Sequence, residues 1–133
     1  MAPIGAFTFV LHAHIPYCRR AGRWPHGEEW LHEAIAETYL PLLDALYDLH
    51  EEGVPARLTL SLTPVLAEQL ADPLIQEHFI EYAQDRRSRA EQDVARFEAE
   101  GNPHLRELAR FYVDYYDRRL RSFIHRYGRD LIG

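Results

Sequence analysis

Hydrophobic and polar positions alternate between two periods along the chain, and the changes of period mark its elements. Ala6 to Leu11 reads AFTFVL, a short apolar run of aromatic and β-branched residues. It predicts a strand over residues 6–12, buried on both faces. His12-Ala13-His14-Ile15-Pro16-Tyr17 follows, and Pro16, with no N–H to give a ladder, ends the strand near the histidines. Gly22, Pro25 and Gly27 make residues 18–27 a loop. From Glu28 the apolar positions recur every three or four residues: Leu31, Ile35, Tyr39, Leu42, Leu46 and Leu49. That spacing predicts an amphipathic helix over 28–51. Glu28 and Glu29 suit its positive end and Gly53 its C-terminal cap. Pro41, inside the pattern, should kink or split it, because it removes the bond to the Glu37 carbonyl.

Leu58, Leu60 and Leu62 then alternate with Thr59 and Ser61, which predicts a second strand over 57–62. Thr63-Pro64, Asp72-Pro73 and Asn102-Pro103 are three successive helix starts, each a polar cap followed by proline at the first helical position. They open helices over 64–71, 73–100 and 103–127. The 73–100 helix buries Leu74, Ile75, Phe79, Tyr82 and Ala83. The last carries a broad apolar face from Leu105 through Leu108, Ala109, Tyr112, Tyr116, Leu120 and Phe123 to Tyr127, and Gly128 ends it.

Strand, long crossover and strand imply a parallel pair. Two parallel strands make no stable sheet, since both edges stay open. The fold class is therefore α/β, and residues 1–133 are expected to be the N-terminal part of a larger barrel or sheet, with residues 130–133 leading towards a third strand.

Composition narrows the function. At 133 residues the chain is one domain or part of one. A net charge of −6 gives no basic field for nucleic acid or anionic lipid. No apolar run approaches the roughly 20 residues that span a membrane. The first residues carry no positive stretch of a secretory leader. With Cys18 as the single cysteine, a reducing cytoplasm is the expected compartment. All 15 basic residues are arginine, which excludes lysine Schiff bases, Walker loops and Ser-Lys dyads. The arginine-rich stretch from Arg86 to Arg129 reads as a solvated, ion-paired hairpin, with Arg106 and Arg110 near Glu107 and Asp114.

His12 and His14, two apart in extended chain, project from one side of the first strand at its C-terminal end, where α/β folds place their sites. Two jobs fit: the start of a zinc site of amidohydrolase type, or hydrogen bonding to sugar hydroxyls or a catalytic carboxylate. The spacing does not choose between them, and the remaining histidines belong to no recognised ligand motif. Tyr17 and Trp24, in the loop after the strand, offer flat faces suited to sugar rings. Trp30, on the helix pattern, is expected in the core, and Cys18 is expected to be a buried thiol rather than a nucleophile. A non-enzymatic helical module, with the hairpin as a partner surface, is the third possibility.

The run LHAHIPY, followed by GRWPHGEEWLHEAIAETYLPLLDAL and RLTLSLTPVLAEQLADP, resembles glycoside hydrolase family 57, and within it the 1,4-α-glucan branching enzymes. The family's His-x-His-Gln-Pro signature stands here as His12-Ala13-His14-Ile15-Pro16. Ile15 in place of glutamine favours the branching subgroup over α-amylases and 4-α-glucanotransferases. The resemblance implies an incomplete barrel of seven β/α units, with the long helical hairpin as an insertion after the second strand. It implies cleavage of an α-1,4 bond with retention, by a glutamate nucleophile and an aspartate acid/base about 5 Å apart, and transfer to a 6-hydroxyl. Neither carboxylate motif occurs in these residues, so no catalytic residue is assigned and the segment alone is expected to be inactive. His12, His14, Tyr17 and Trp24 are the expected substrate-binding residues, α-1,4-glucan the partner, and no metal or cofactor is expected.

Overall fold

A computed structural model describes residues 4, 5 and 7–132. Ala6, the start of the predicted first strand, lies outside the described residues, as do Met1–Pro3 and Gly133. Strand β1 (Val10–Ala13) pairs in parallel with β2 (Thr59–Leu62), in the register Val10–Thr59, Leu11–Leu60, His12–Ser61 and Ala13–Leu62. Both strands are shorter than the 6–12 and 57–62 expected from the pattern, because among the described residues these four rungs are the ones that pair. Within the described residues both strands are largely uncovered. Val10, on the His12 face, and Phe9, Leu60 and Leu62, on the opposite face, are all exposed.

The crossover runs through α1 (Glu28–Ala34), a π-turn at Ile35–Tyr39 and α2 (Leu40–Glu51). The helix is divided just before Pro41, as expected, but by a π-turn rather than by a chain break. The Leu40 N–H reaches back five residues to the Ile35 carbonyl, so the widened turn absorbs the missing donor before the proline ring arrives. In that register the Ala36 carbonyl would next receive an N–H from position 41, where proline has none. Tyr115 Oη supplies the hydrogen bond instead, at 2.8 Å. Thus the proline's defect becomes a tie between crossover and hairpin. Gly53, at φ +73°, closes α2, with its N–H on the His50 carbonyl and that of Val54 on Leu49. This pairing needs the left-handed backbone that glycine adopts without strain.

After β2 come α3 (Pro64–Ala71), α4 (Pro73–Ala99) and α5 (Pro103–Arg121), with a second π-turn at Ser122–Arg126. Asp72 accepts from the Leu74 N–H and Asn102 from the Leu105 N–H, as caps should. Thr63 makes no side-chain cap. The α4–α5 pair is the predicted hairpin, and its polar faces are laced by pairs such as Arg87–Glu91, Arg106–Glu98 and Arg110–Glu107. Of the arginines from Arg86 to Arg129, all but Arg118 face a carboxylate in the described structure.

The core lies where α1, α3, α4 and the end of α5 meet: Leu31, Ile35, Leu66, Leu70, Ile75, Phe79, Leu120 and Phe123 are buried there. Phe79 and Phe123 meet edge-to-face at 4.7 Å, and each such buried side chain contributes about 1.5–3 kcal/mol. Leu74, Leu108 and Tyr112, expected in the core, are exposed. Among the described residues no helix is long and apolar enough to cross a membrane.

Candidate functional site

The parallel register decides which side chains share a face. Residues paired across a ladder project the same way, so His12 and His14 stand over Ser61 and Thr63. His12 Nδ1 lies 3.1 Å from Ser61 Oγ, and His14 Nδ1 lies 3.2 Å from Thr63 Oγ1. The two rings are near parallel, 15° apart in plane with centroids separated by 6.4 Å. Both are exposed. With each Nδ1 engaged by a hydroxyl, each Nε2 is the nitrogen left for an incoming group. A hydroxyl both donates and accepts, so the same contact supports an Nε2 that donates or one that accepts. Among the described residues no cluster of three or more histidine, cysteine or carboxylate side chains forms.

Residues 15–27 carry Tyr17 and Trp24 away from the strand. Tyr17 is 56 % exposed and Trp24 72 %; neither makes a ring contact with the histidine pair among the described residues. Their loop is nevertheless tightly held. Gln69 of α3, 2 % exposed, accepts from the Cys18 N–H at 2.9 Å and from its thiol at 3.2 Å. Its amide donates to the Pro16 and Val65 carbonyls, each at 3.2 Å. Ile15 and Cys18 enter the core beside it. Burial, and then the charge of Glu28, push the Cys18 thiol up, so this cysteine is a packed structural group. Arg19 pairs with Asp72, and Arg23 with Glu81 at 2.9 Å. At the far end the Gly22 carbonyl receives the Glu28 N–H at 2.9 Å. A Cβ on Gly27 would stand 1.7 Å from that carbonyl oxygen, so glycine is required for the loop to close on α1. Trp30, expected in the core, is 45 % exposed; α1 turns Leu31 inward, and its neighbour therefore faces out.

A second polar group sits behind the loop. Glu28 is buried, with His78 Nδ1 2.5 Å and His32 Nε2 3.9 Å from its Oε2. This pairing completes no ligand cluster among the described residues. The i,i+4 spacing of Glu28 and His32 was visible, but His78 arrives from α4. Burial between Phe79 and Tyr82, and then the neighbouring His78, lower the His32 pKa to about 4. Gln69, Ser61 and Thr63 had also gone unassigned. Gln69 is a polar residue on the Leu66–Leu70 face of α3, a detectable anomaly; the hydroxyls were ordinary strand and cap residues until the register was known.

Residues 8–133 match the sequence profile of glycosyl hydrolase family 57. A 1,4-alpha-glucan branching enzyme of Thermococcus kodakarensis is 41 % identical over 114 residues, which cover 84 % of this chain and 17 % of that protein. The crystal structure of a GH57-type branching enzyme from Pyrococcus horikoshii superposes with a TM-score of 0.85 at 45 % identity, covering 93 % of this chain and 23 % of that one. The alpha-amylase AmyC of Thermotoga maritima superposes at 0.73 with 33 % identity, over 87 % of this chain and 22 % of its own. The chain therefore spans less than a quarter of the length of each of these relatives.

Proposed function

We propose, because the chain belongs to glycosyl hydrolase family 57, that residues 1–133 form the N-terminal part of a catalytic barrel of seven β/α units in a retaining 1,4-α-glucan branching enzyme. The sheet supports this reading physically. Its two parallel strands leave apolar surface and both edges open, the condition that further strands of a barrel relieve. The observation that carries the site is the side-by-side pair of imidazoles at the C-terminal end of β1, each with Nδ1 engaged and Nε2 outward. In a barrel that end is the catalytic mouth. Two near-parallel imidazoles with centroids 6.4 Å apart hydrogen-bond hydroxyls of a glucose unit beside the scissile bond, and Tyr17 and Trp24 offer stacking faces to neighbouring sugars. The carboxylate nucleophile and acid/base come from strands beyond these residues. They cleave the α-1,4 bond with retention and pass the chain to a 6-hydroxyl. No cofactor enters this scheme. A single, packed thiol supports a reducing, cytoplasmic setting in α-glucan storage.

The full-length protein, given amylose, should produce α-1,6 linkages seen by proton NMR, and His12→Ala should lower that rate about 100-fold without unfolding the enzyme. The similarity to an alpha-amylase supports a second reading, hydrolysis. In that case reducing ends accumulate and α-1,6 signals do not. An unchanged rate in His12→Ala would remove the site assignment.

A further inference from the structure

We propose that Ser61 and Thr63 are positioning residues that hold the His12 and His14 rings with Nε2 facing the substrate; this rests on the reading of those histidines as glucan-binding groups. Three observations converge. First, the register puts each hydroxyl beside one imidazole, one on the neighbouring strand and one at its end. Second, an exposed imidazole on a strand end turns freely about χ2, and a half-turn exchanges Nδ1 with Cδ2 and Nε2 with Cε1, carrying both nitrogens to the other side. The two hydroxyl contacts remove that freedom from both rings in the same sense, which is how the planes come to lie 15° apart. Third, Thr63 gives up the role its position offers. It precedes Pro64 as Asp72 precedes Pro73 and Asn102 precedes Pro103, yet only the latter two cap their helices. A hydroxyl cap is worth roughly 0.5–2 kcal/mol, and here the Thr63 hydroxyl is spent on His14 instead. The pairs form a two-rung polar ladder on one face of the β1–β2 sheet, and the rungs match the two-residue spacing of His-x-His. A serine-x-threonine on the adjacent strand is thus the complement that the histidine motif needs.

The test uses the full-length protein. Ser61→Ala and Thr63→Val remove the hydroxyls at nearly constant shape, and Ser61→Thr and Thr63→Ser keep them. Each of the first pair should lower kcat/KM on amylose about 3- to 10-fold, the loss expected of one hydrogen bond. The ¹⁵N NMR signal of the matching ring Nδ1 should move, and the hydroxyl-keeping variants should restore both readouts. A fall in melting temperature with kcat/KM and ring signals unchanged would overturn the inference, leaving a structural role only. Should Thr63→Val fail to fold, Ser61→Ala and the His12 signal decide alone. His12→Ala is measured in parallel. If it abolishes activity while the hydroxyl variants do nothing, positioning is wrong and the glucan site stands; if it leaves turnover unchanged, both fall.

Discussion

Replacing Gln69 by leucine should free the loop that carries Tyr17 and Trp24. The side chain is nearly isosteric, so packing beside Leu66 and Leu70 is kept and the loss is polar. Three backbone groups of the loop lose a partner, the Cys18 N–H, the Ile15 carbonyl and the half-buried Pro16 carbonyl. The Val65 carbonyl also loses its side-chain donor, but it lies inside α3, where the helix ladder serves it. Each orphaned buried group costs about 1–3 kcal/mol. The loop lies near the surface and water relieves part of this, so the net is about 2–4 kcal/mol. The half-buried pair Arg19–Asp72 and the exposed pair Arg23–Glu81 sit at the surface and do not replace these bonds, surface pairs being worth about 0–1 kcal/mol. At a tenfold change per 1.4 kcal/mol, amide exchange in the segment around Cys18 should accelerate about 30- to 700-fold. Hydrogen–deuterium exchange of the peptide containing Cys18 measures it, with peptides from the α4–α5 hairpin as internal control. Exchange at Cys18 within threefold of the wild type would refute the idea that one amide holds this loop.

Three further outcomes follow from the geometry. Tyr115→Phe strands the Ala36 carbonyl that Pro41 leaves without a backbone donor, and should cost about 1–3 kcal/mol in urea denaturation; an unchanged midpoint would mean that the π-turn satisfies itself. His32 sets a pH limb: its folded pKa near 4 lies below the ordinary 6.5, so the unfolded chain takes the proton first, and stability that is whole above pH 6.5 declines as pH falls towards 4. The gap corresponds to about 3 kcal/mol, and His32→Phe should flatten that part of the stability profile; parallel profiles for variant and wild type would exclude His32 as its source. Gly27→Ala drives a methyl into the Gly22 carbonyl, so trypsin should cut faster after Arg20 and Arg23; equal cleavage rates would show that the loop yields without opening.

The elements that periodicity and caps define were readable from the chain itself. The Leu31–Leu49 stripe, the three proline helix starts and Gly53 each act within one turn, and local chemistry suffices for them. What needed coordinates depends on pieces far apart in sequence. Pro41 predicted a kinked or split helix, but not that a π-turn would divide it, nor that the Tyr115 hydroxyl of another helix would serve the Ala36 carbonyl. The apolar runs of the strands mark surfaces that want covering, but not which residues cover them, and the described residues leave them exposed. The histidine pair was evident from its spacing; its hydroxyl partners, 49 positions on, appeared only with the strand register. Likewise the Glu28–His78 contact joins two helices that no local pattern links.

A crystal structure of the full-length protein with a bound maltooligosaccharide bears most directly on the central claim. The glucose unit beside the scissile position should place hydroxyl oxygens within about 3.2 Å of Nε2 on both His12 and His14, with the Ser61 and Thr63 contacts intact. A sugar bound away from both rings, or a metal ion held between them, would contradict it.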